Sequence, residues 1–388
     1  MDKRIIFALF LLTFALSSFL TIVGVINNIA TYFNVSLTMA GSFVSLFTLI
    51  LAVTGLFLPS YFSNIERKRF FIIASLIFVM SGFLQIFITN FYLALIVRLF
   101  PAFFYSSAIS IALTMMSELS PNNVNKVVLG VSAGTILGLS ISTHIGLEFG
   151  YQAVNVWIFS INLLALAAIK AFLPRMEGHE KNIGLQFECI KTKKFIVSVI
   201  FILFIGVAIS VVYNYFTIIL LDLTKIQNQM ISIFLFSNGI ASIIGTSLFG
   251  YLIHKKNNLV ILIYPIVFMT VIFLLDLEVK VSIYVFALII AFGMLDGSMH
   301  TISQYWISSS IKEAQEFANG VYLFTNNLNR SIGIYLGGIL IEEQMIHMIF
   351  VTSMSLFLMS FPFVMYRIRK YPNRNKERTP IRNTISEK

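Results

Sequence analysis

Between Ile5 and Tyr366 the chain is a succession of apolar runs, each long enough to cross the roughly 30 Å hydrocarbon core of a bilayer. Short polar stretches divide them into twelve spans, at about 5–33, 39–62, 70–89, 92–117, 127–148, 153–173, 195–221, 229–253, 259–275, 281–308, 319–341 and 345–366. In lipid each run must satisfy its own backbone hydrogen bonds, so continuous runs of this length predict helices. A membrane barrel would instead show alternating segments of about ten residues. The fold class expected is an all-α polytopic membrane protein with twelve transmembrane helices. Only 11% of the 388 residues are charged, against about 25% in soluble domains. That excludes a soluble enzyme, a disordered chain and a secreted disulfide scaffold, and the single Cys189 excludes an internal disulfide or a cysteine-built metal site. The first apolar run has no A-x-A cleavage pattern and reads as a retained span.

The net charge of +10 gains its meaning from its placement. With the N-terminus taken as cytoplasmic, all 27 Lys and Arg residues except Arg98, Arg330, Lys225 and Lys280 fall on the cytoplasmic side. This bias is a topology signal that puts both termini in the cytoplasm, and it explains the surplus without any nucleic-acid partner. The hydrophilic stretch 174–194 separates residues 1–173 from 195–366, two blocks of six spans, and a basic tail follows at 367–388. Six plus six predicts two pseudo-symmetric bundles with a substrate site near the midplane between them.

Of the 17 acidic residues only Asp296 falls deep in a span, near the middle of span 10. His300 and Gln304 follow at i+4 and i+8, roughly on the same helical face. A carboxylate at that depth must be neutralised or partnered, which makes Asp296 a candidate proton-coupling residue, with His300 able to assist. Arg330, midway along span 11, is its candidate partner. The two form either a static pair or a working site; in the second case Arg330 favours a carboxylate or phosphate on the cargo. Asn28, Tyr213, Asn214, Asn238 and Asn327 are further candidates for substrate contact, with interhelical hydrogen bonding as the alternative for each. Arg98 lies about 10 Å inside span 4, where it either faces His144 and Glu148 of span 5 or snorkels to the surface. Gly130, Gly134, Gly138, Ser142 and Gly146 recur every four residues in span 5. This small-residue stripe predicts close helix packing, expected at the interface between the halves.

Several of these segments together resemble the major facilitator superfamily, and within it the drug:proton antiporter branch of arabinose-efflux-like and purine-efflux-like exporters. Glu66-Arg67-Lys68-Arg69 resembles the basic end of the family's loop between spans 2 and 3, without its Gly and Asp. Arg98 resembles the intramembrane arginine of span 4, and the span-5 stripe resembles the exporters' glycine-rich motif without its Gly-Pro core. Asn327, Gly333, Gly337 and Gly338 fit a span-11 pattern in which Asn329 replaces a usual Gly and Arg330 is an addition. The resemblance implies gating roles for residues 66–69 and alternating access between the halves. The expected function is proton-coupled efflux of a small polar or amphiphilic molecule by a monomer in the inner or plasma membrane. The alternatives are export of a siderophore or other carboxylate-bearing metabolite, uptake by proton symport, and a membrane sensor or scaffold without transport. Neither G-x-x-x-x-G-K-[ST] nor H-E-x-x-H occurs, so no enzyme activity, cofactor or bound metal is expected. The expected partners are a small-molecule substrate, protons and the lipid bilayer.

Overall fold

A computed structural model describes residues 3–62, 64–120, 123–178, 192–224, 228–277, 282–310, 315–343 and 345–371. Most of the predicted linker, and the tail from 372 onward, lie outside the described residues, as does Cys189. Every element among the described residues is helical, as the self-contained hydrogen bonding of lipid-embedded chain requires.

In the first block, α1 (Lys3–Ser18), a 3-10 segment over Phe19–Val25 and α2 (Ile26–Phe33) form span 1. There follow α3 (Leu37–Phe62), α4 (Arg67–Phe87), α5 (Phe91–Leu99), α6 (Ala102–Leu119) and the 49-residue α7 (Val124–Phe172). The second block consists of α8 (Lys193–Tyr213), α9 (Phe216–Thr224), the 50-residue α10 (Asn228–Leu277), α11 (Ser282–Ser308), α12 (Gln315–Glu342) and α13 (Ile346–Lys370). Span 4 breaks between α5 and α6 at Phe100-Pro101, and span 7 between α8 and α9 at Asn214-Tyr215.

Among the described residues, ten helices are long and apolar enough to cross a membrane. One of these covers 47 residues, Lys126–Phe172, or about 70 Å at 1.5 Å per residue, which is two spans. They meet at Gly150, whose φ of 82° reverses the chain in a conformation open to glycine. The twelfth span is α12, the polar one, which carries Asn326, Asn327, Asn329 and Arg330.

The glycine stripe of span 5 corrects one expectation. It packs on span 1 within the same block and not on the other half. A Cβ at Gly134 would strike the Phe14 carbonyl oxygen, one at Gly130 the Thr13 hydroxyl, and one at Gly146 the Val25 side chain. Gly138 faces Ser18, 3.0 Å from where its Cβ would stand, and Ser142 shares a 2.9 Å hydrogen bond with Thr21. The second block uses the same device between α10 and α11, where Gly245 meets the Met294 carbonyl and Gly297 the Ser242 carbonyl. Close backbone approach gives van der Waals contact where lipid offers no hydrophobic drive between helices.

The halves meet elsewhere. Tyr215 donates to the Ile334 carbonyl at 2.6 Å, and its ring fills the space over Gly337 and beside Gly41 of α3. Thr38 Cα lies 3.2 Å from where a Gly338 Cβ would stand, and Glu342 stands beside Thr38 and Ser36. At mid-depth, Gly239 of α10 receives Ile136 of α7.

At the opposite, basic end two arginines bind helices together. Arg67, only 4% exposed, makes a two-pronged pair with Glu118 at 2.6 and 2.7 Å, and its backbone N–H donates to Met176 at 2.9 Å. Glu66 caps the start of α4 by accepting from the Lys68 N–H, while Arg69 is exposed. The α13 helix runs past the predicted end of span 12 to Lys370, so Arg367 belongs to the bundle and not to the tail. It is buried, donates to Ser198, to the Trp306 carbonyl at 2.9 Å and to Ser309 at 2.7 Å, and lies 4.1 Å from the centre of the Trp306 ring.

Candidate functional site

Asp296 occupies the middle of α11, half-buried. Among the described residues its carboxylate has no hydrogen-bond partner and no cation within 4.0 Å. It is nonetheless within Coulombic range of His300, Arg330, Tyr213, Tyr264 and Tyr322. One turn further along α11, His300 Nδ1 shares a 3.2 Å hydrogen bond with the Tyr322 hydroxyl of α12. The static Asp296–Arg330 pair weighed from the sequence is therefore absent: the two charges share a field without touching.

Arg330 is held by another group. Its Nε donates to Asn214 Oδ1 at 3.4 Å, and Asn214 is itself fixed by donating to the Ser210 carbonyl at 2.7 Å. The other guanidinium nitrogens have no partner among the described residues, and Arg330 is half-buried. Asn214 can hold this position because α8 ends at Tyr213, so its side chain points back along the turn that precedes the break in span 7. Tyr213 stacks against Phe292 of α11, with 6.5 Å between ring centres.

The first block supplies the other side of the site. Tyr105 of α6 shares a 3.1 Å hydrogen bond with Ser17 of α1 and lies in Coulombic range of Arg330. The polar cluster thus bridges the two halves. Sequence reading missed Tyr105, Tyr322 and Tyr264 because a chain with 15 tyrosines gives no sign of which hydroxyls face inward. One signal was available: Tyr322 lies eight residues before Arg330, near the same face of α12.

Other candidates are occupied by architecture. Asn28 donates to the Gly146 carbonyl at 2.7 Å and Asn238 to the Ile289 carbonyl at 2.9 Å, so both amides tie neighbouring helices. Asn327 donates to Leu323 of its own helix, and Gln304 is exposed with no partner among the described residues. Buried Asn329 stands against Gly206 and donates to the Ile202 carbonyl at 3.2 Å, which explains its replacement of a small residue in span 11.

Arg98 neither snorkels nor faces His144 and Glu148, which are exposed. It is 1% exposed, donates to the Phe19 carbonyl at 2.6 Å and the Phe43 carbonyl at 3.3 Å, and lies 4.4 Å from the Phe19 ring centre. Phe19 begins the 3-10 segment, where the change of helical pitch frees carbonyls for an outside donor.

Among relatives of known sequence, a probable sugar efflux transporter of Helicobacter pylori (strain ATCC 700392 / 26695) is 23% identical over 83% of this chain and 84% of its own length. The uncharacterized MFS-type transporter YbcL of Bacillus subtilis (strain 168) is 25% identical over 60% of this chain and 61% of its own length. Among solved structures, the nucleoside transporter NupG superposes with a TM-score of 0.76 over 95% of this chain and 99% of its own, at 14% identity. A bacterial homolog of the human lysosomal transporter Spinster, inward-facing and unoccupied, gives 0.77 over 95% of this chain and 97% of its own, at 12% identity. At those identities the two structures establish the fold alone. The sequence profile of the Major Facilitator Superfamily matches residues 5–334, and the chain belongs to that family of membrane transporters.

Proposed function

We propose that this transporter exports a small polar molecule in exchange for protons, by alternating access between its two halves, from a plasma or inner membrane in which both termini are cytoplasmic. The observation that carries the reading is Asp296, a half-buried carboxylate in mid-span with no ion-pair partner among the described residues. A charge at that depth is retained against a cost of about 3 kcal/mol or more, and an unpaired one is free to take and give up a proton. Arg330, His300 and Tyr322 stand around it, and Tyr105 and Ser17 connect the cluster to the other half. Proton occupancy and cargo occupancy then bias one rocking equilibrium. The direction is drawn from relatives named as probable sugar efflux transporters, so sugars come first among the solutes to measure.

The test compares the small polar solutes released by cells that overproduce the wild type, Asp296→Asn or neither. The wild type is expected to raise at least one solute about tenfold in the medium. A protonophore and Asp296→Asn should each abolish that rise. Equal release by Asp296→Asn and the wild type would remove Asp296 from the coupling step.

A further inference from the structure

Two opposite charges in one cluster normally close on each other, because each relieves the other's burial. Here they do not. Arg330 is held by Asn214 of α8, leaving its outer guanidinium nitrogens without a partner among the described residues. Asp296, on α11, has both carboxylate oxygens unpartnered among the described residues and lies more than 4.0 Å from any cation there. His300 shares its Nδ1 with the Tyr322 hydroxyl and stands in Coulombic range of Asp296 without touching it. Helices α11 and α12 thus present a planar fork of donors and a bare acceptor, separated but within Coulombic range.

We infer that the cargo is a small zwitterion of the amino-acid type, its carboxylate on Arg330 and its ammonium on Asp296. This rests on the proton-exchange reading above and deepens it. Guanidinium binds a carboxylate through two parallel N–H donors, whereas Asp296 accepts from an ammonium. A molecule carrying both charges completes both groups at once. An anion satisfies only Arg330 and a cation only Asp296; a sugar hydrogen-bonds both without cancelling either charge.

The arrangement also decides the sign of coupling. A proton and the cargo ammonium compete for one carboxylate, so protonating Asp296 ejects the ammonium and leaves an uncompensated Arg330. Competition of that kind produces exchange. An anionic cargo would do the reverse, since its charge favours a proton on Asp296 and the two would travel together. The groups facing Asp296 are His300 on its own helix, Tyr213 of α8, Tyr264 of α10, and Tyr322 and Arg330 of α12. Tyr105, bonded to Ser17, brings the first half within Coulombic range of Arg330, so charge gained or lost there is felt across the rocking interface.

The experiment uses inside-out vesicles from cells overproducing the full chain, acidified inside. The probes are labelled protein amino acids one at a time, their methyl esters as cations, their N-acetyl forms as anions, and a pentose and hexose mixture. At least one amino acid is expected to accumulate about tenfold above vesicles lacking the protein, with its ester, its N-acetyl form and the sugars below about twofold. Arg330→Gln should transfer the preference from that amino acid to its ester, and retained ester transport shows that the variant is folded. Accumulation of sugars or N-acetyl anions in place of amino acids overturns the zwitterion assignment while leaving proton exchange standing. An amino acid that accumulates equally without the pH gradient overturns proton exchange and leaves the zwitterion site. Failure of every amino acid, with any other probe transported or none, also rejects the assignment.

Discussion

At the scale of single residues, the charges in the membrane divide by what their neighbours leave unsatisfied. Arg98 is bonded to two carbonyls and stacked on Phe19, and among the described residues one guanidinium nitrogen has no partner and no acid forms an ion pair with it. It therefore acts as a donor for the 3-10 segment of span 1. Replacing it by methionine keeps the bulk and removes the donors to the Phe19 and Phe43 carbonyls. Each orphaned carbonyl costs about 1–3 kcal/mol, so Arg98→Met should unfold in detergent several degrees below the wild type. A melting temperature equal to the wild type would show that water replaces the guanidinium there. Asp296 and Arg330 are the reverse case: their free valences point at function, and Asp296→Asn is expected to spare the fold and lose the coupling.

At the scale of helices, the glycines tell apart the contacts that close packing needs from those it does not. The site for a Cβ at Gly134 is taken by the backbone of Phe14, which cannot swing aside, so Gly134→Ala must part α1 from α7. We expect about 1–3 kcal/mol of destabilisation, read from thermal unfolding. Gly250, within α10, has nothing within 4 Å of its Cβ position, and Gly250→Ala should be neutral or stabilising by up to about 1 kcal/mol, from helix propensity alone. If both substitutions unfold alike, the span-1 contact is not what the stripe provides. The period of four was readable in the sequence, because helical geometry fixes which residues share a face. Its partner was not, because a stripe states that something approaches closely without stating what.

At the scale of the whole molecule, the halves touch at the end opposite the basic loops, where Tyr215 lies between α3 and α12. Just beyond the end of span 11, Glu342 faces Thr38 and Ser36 across the halves, and these neighbours hold its carboxyl below the usual carboxylate range. A depressed value means that the contact favours the closed end when pH is above the ordinary carboxylate range, and that this contribution is lost as pH falls through the lowered value. Acid should therefore raise the accessibility of a cysteine placed at Gly41 to a membrane-impermeant thiol reagent added on that side, in a background lacking Cys189. Glu342→Gln should flatten the pH dependence. An unchanged profile in Glu342→Gln would assign the response to another group.

The sequence by itself determined the all-helical class, the twelve spans and the depth of Arg98, Asp296 and Arg330, because in lipid each segment must satisfy its own backbone and its composition alone reports its place. It also singled out Asp296 and Arg330, since a charge at mid-span stands out against apolar neighbours. Only the tertiary structure decided how each helix is rotated about its axis, which depends on the helices beside it. That rotation turned Asn28 and Asn238 into ties between helices, buried Arg98 against Phe19 and brought Tyr105 towards Arg330. It also kept Asp296 and Arg330 apart, because Asn214, released by the break in span 7, reaches the guanidinium first.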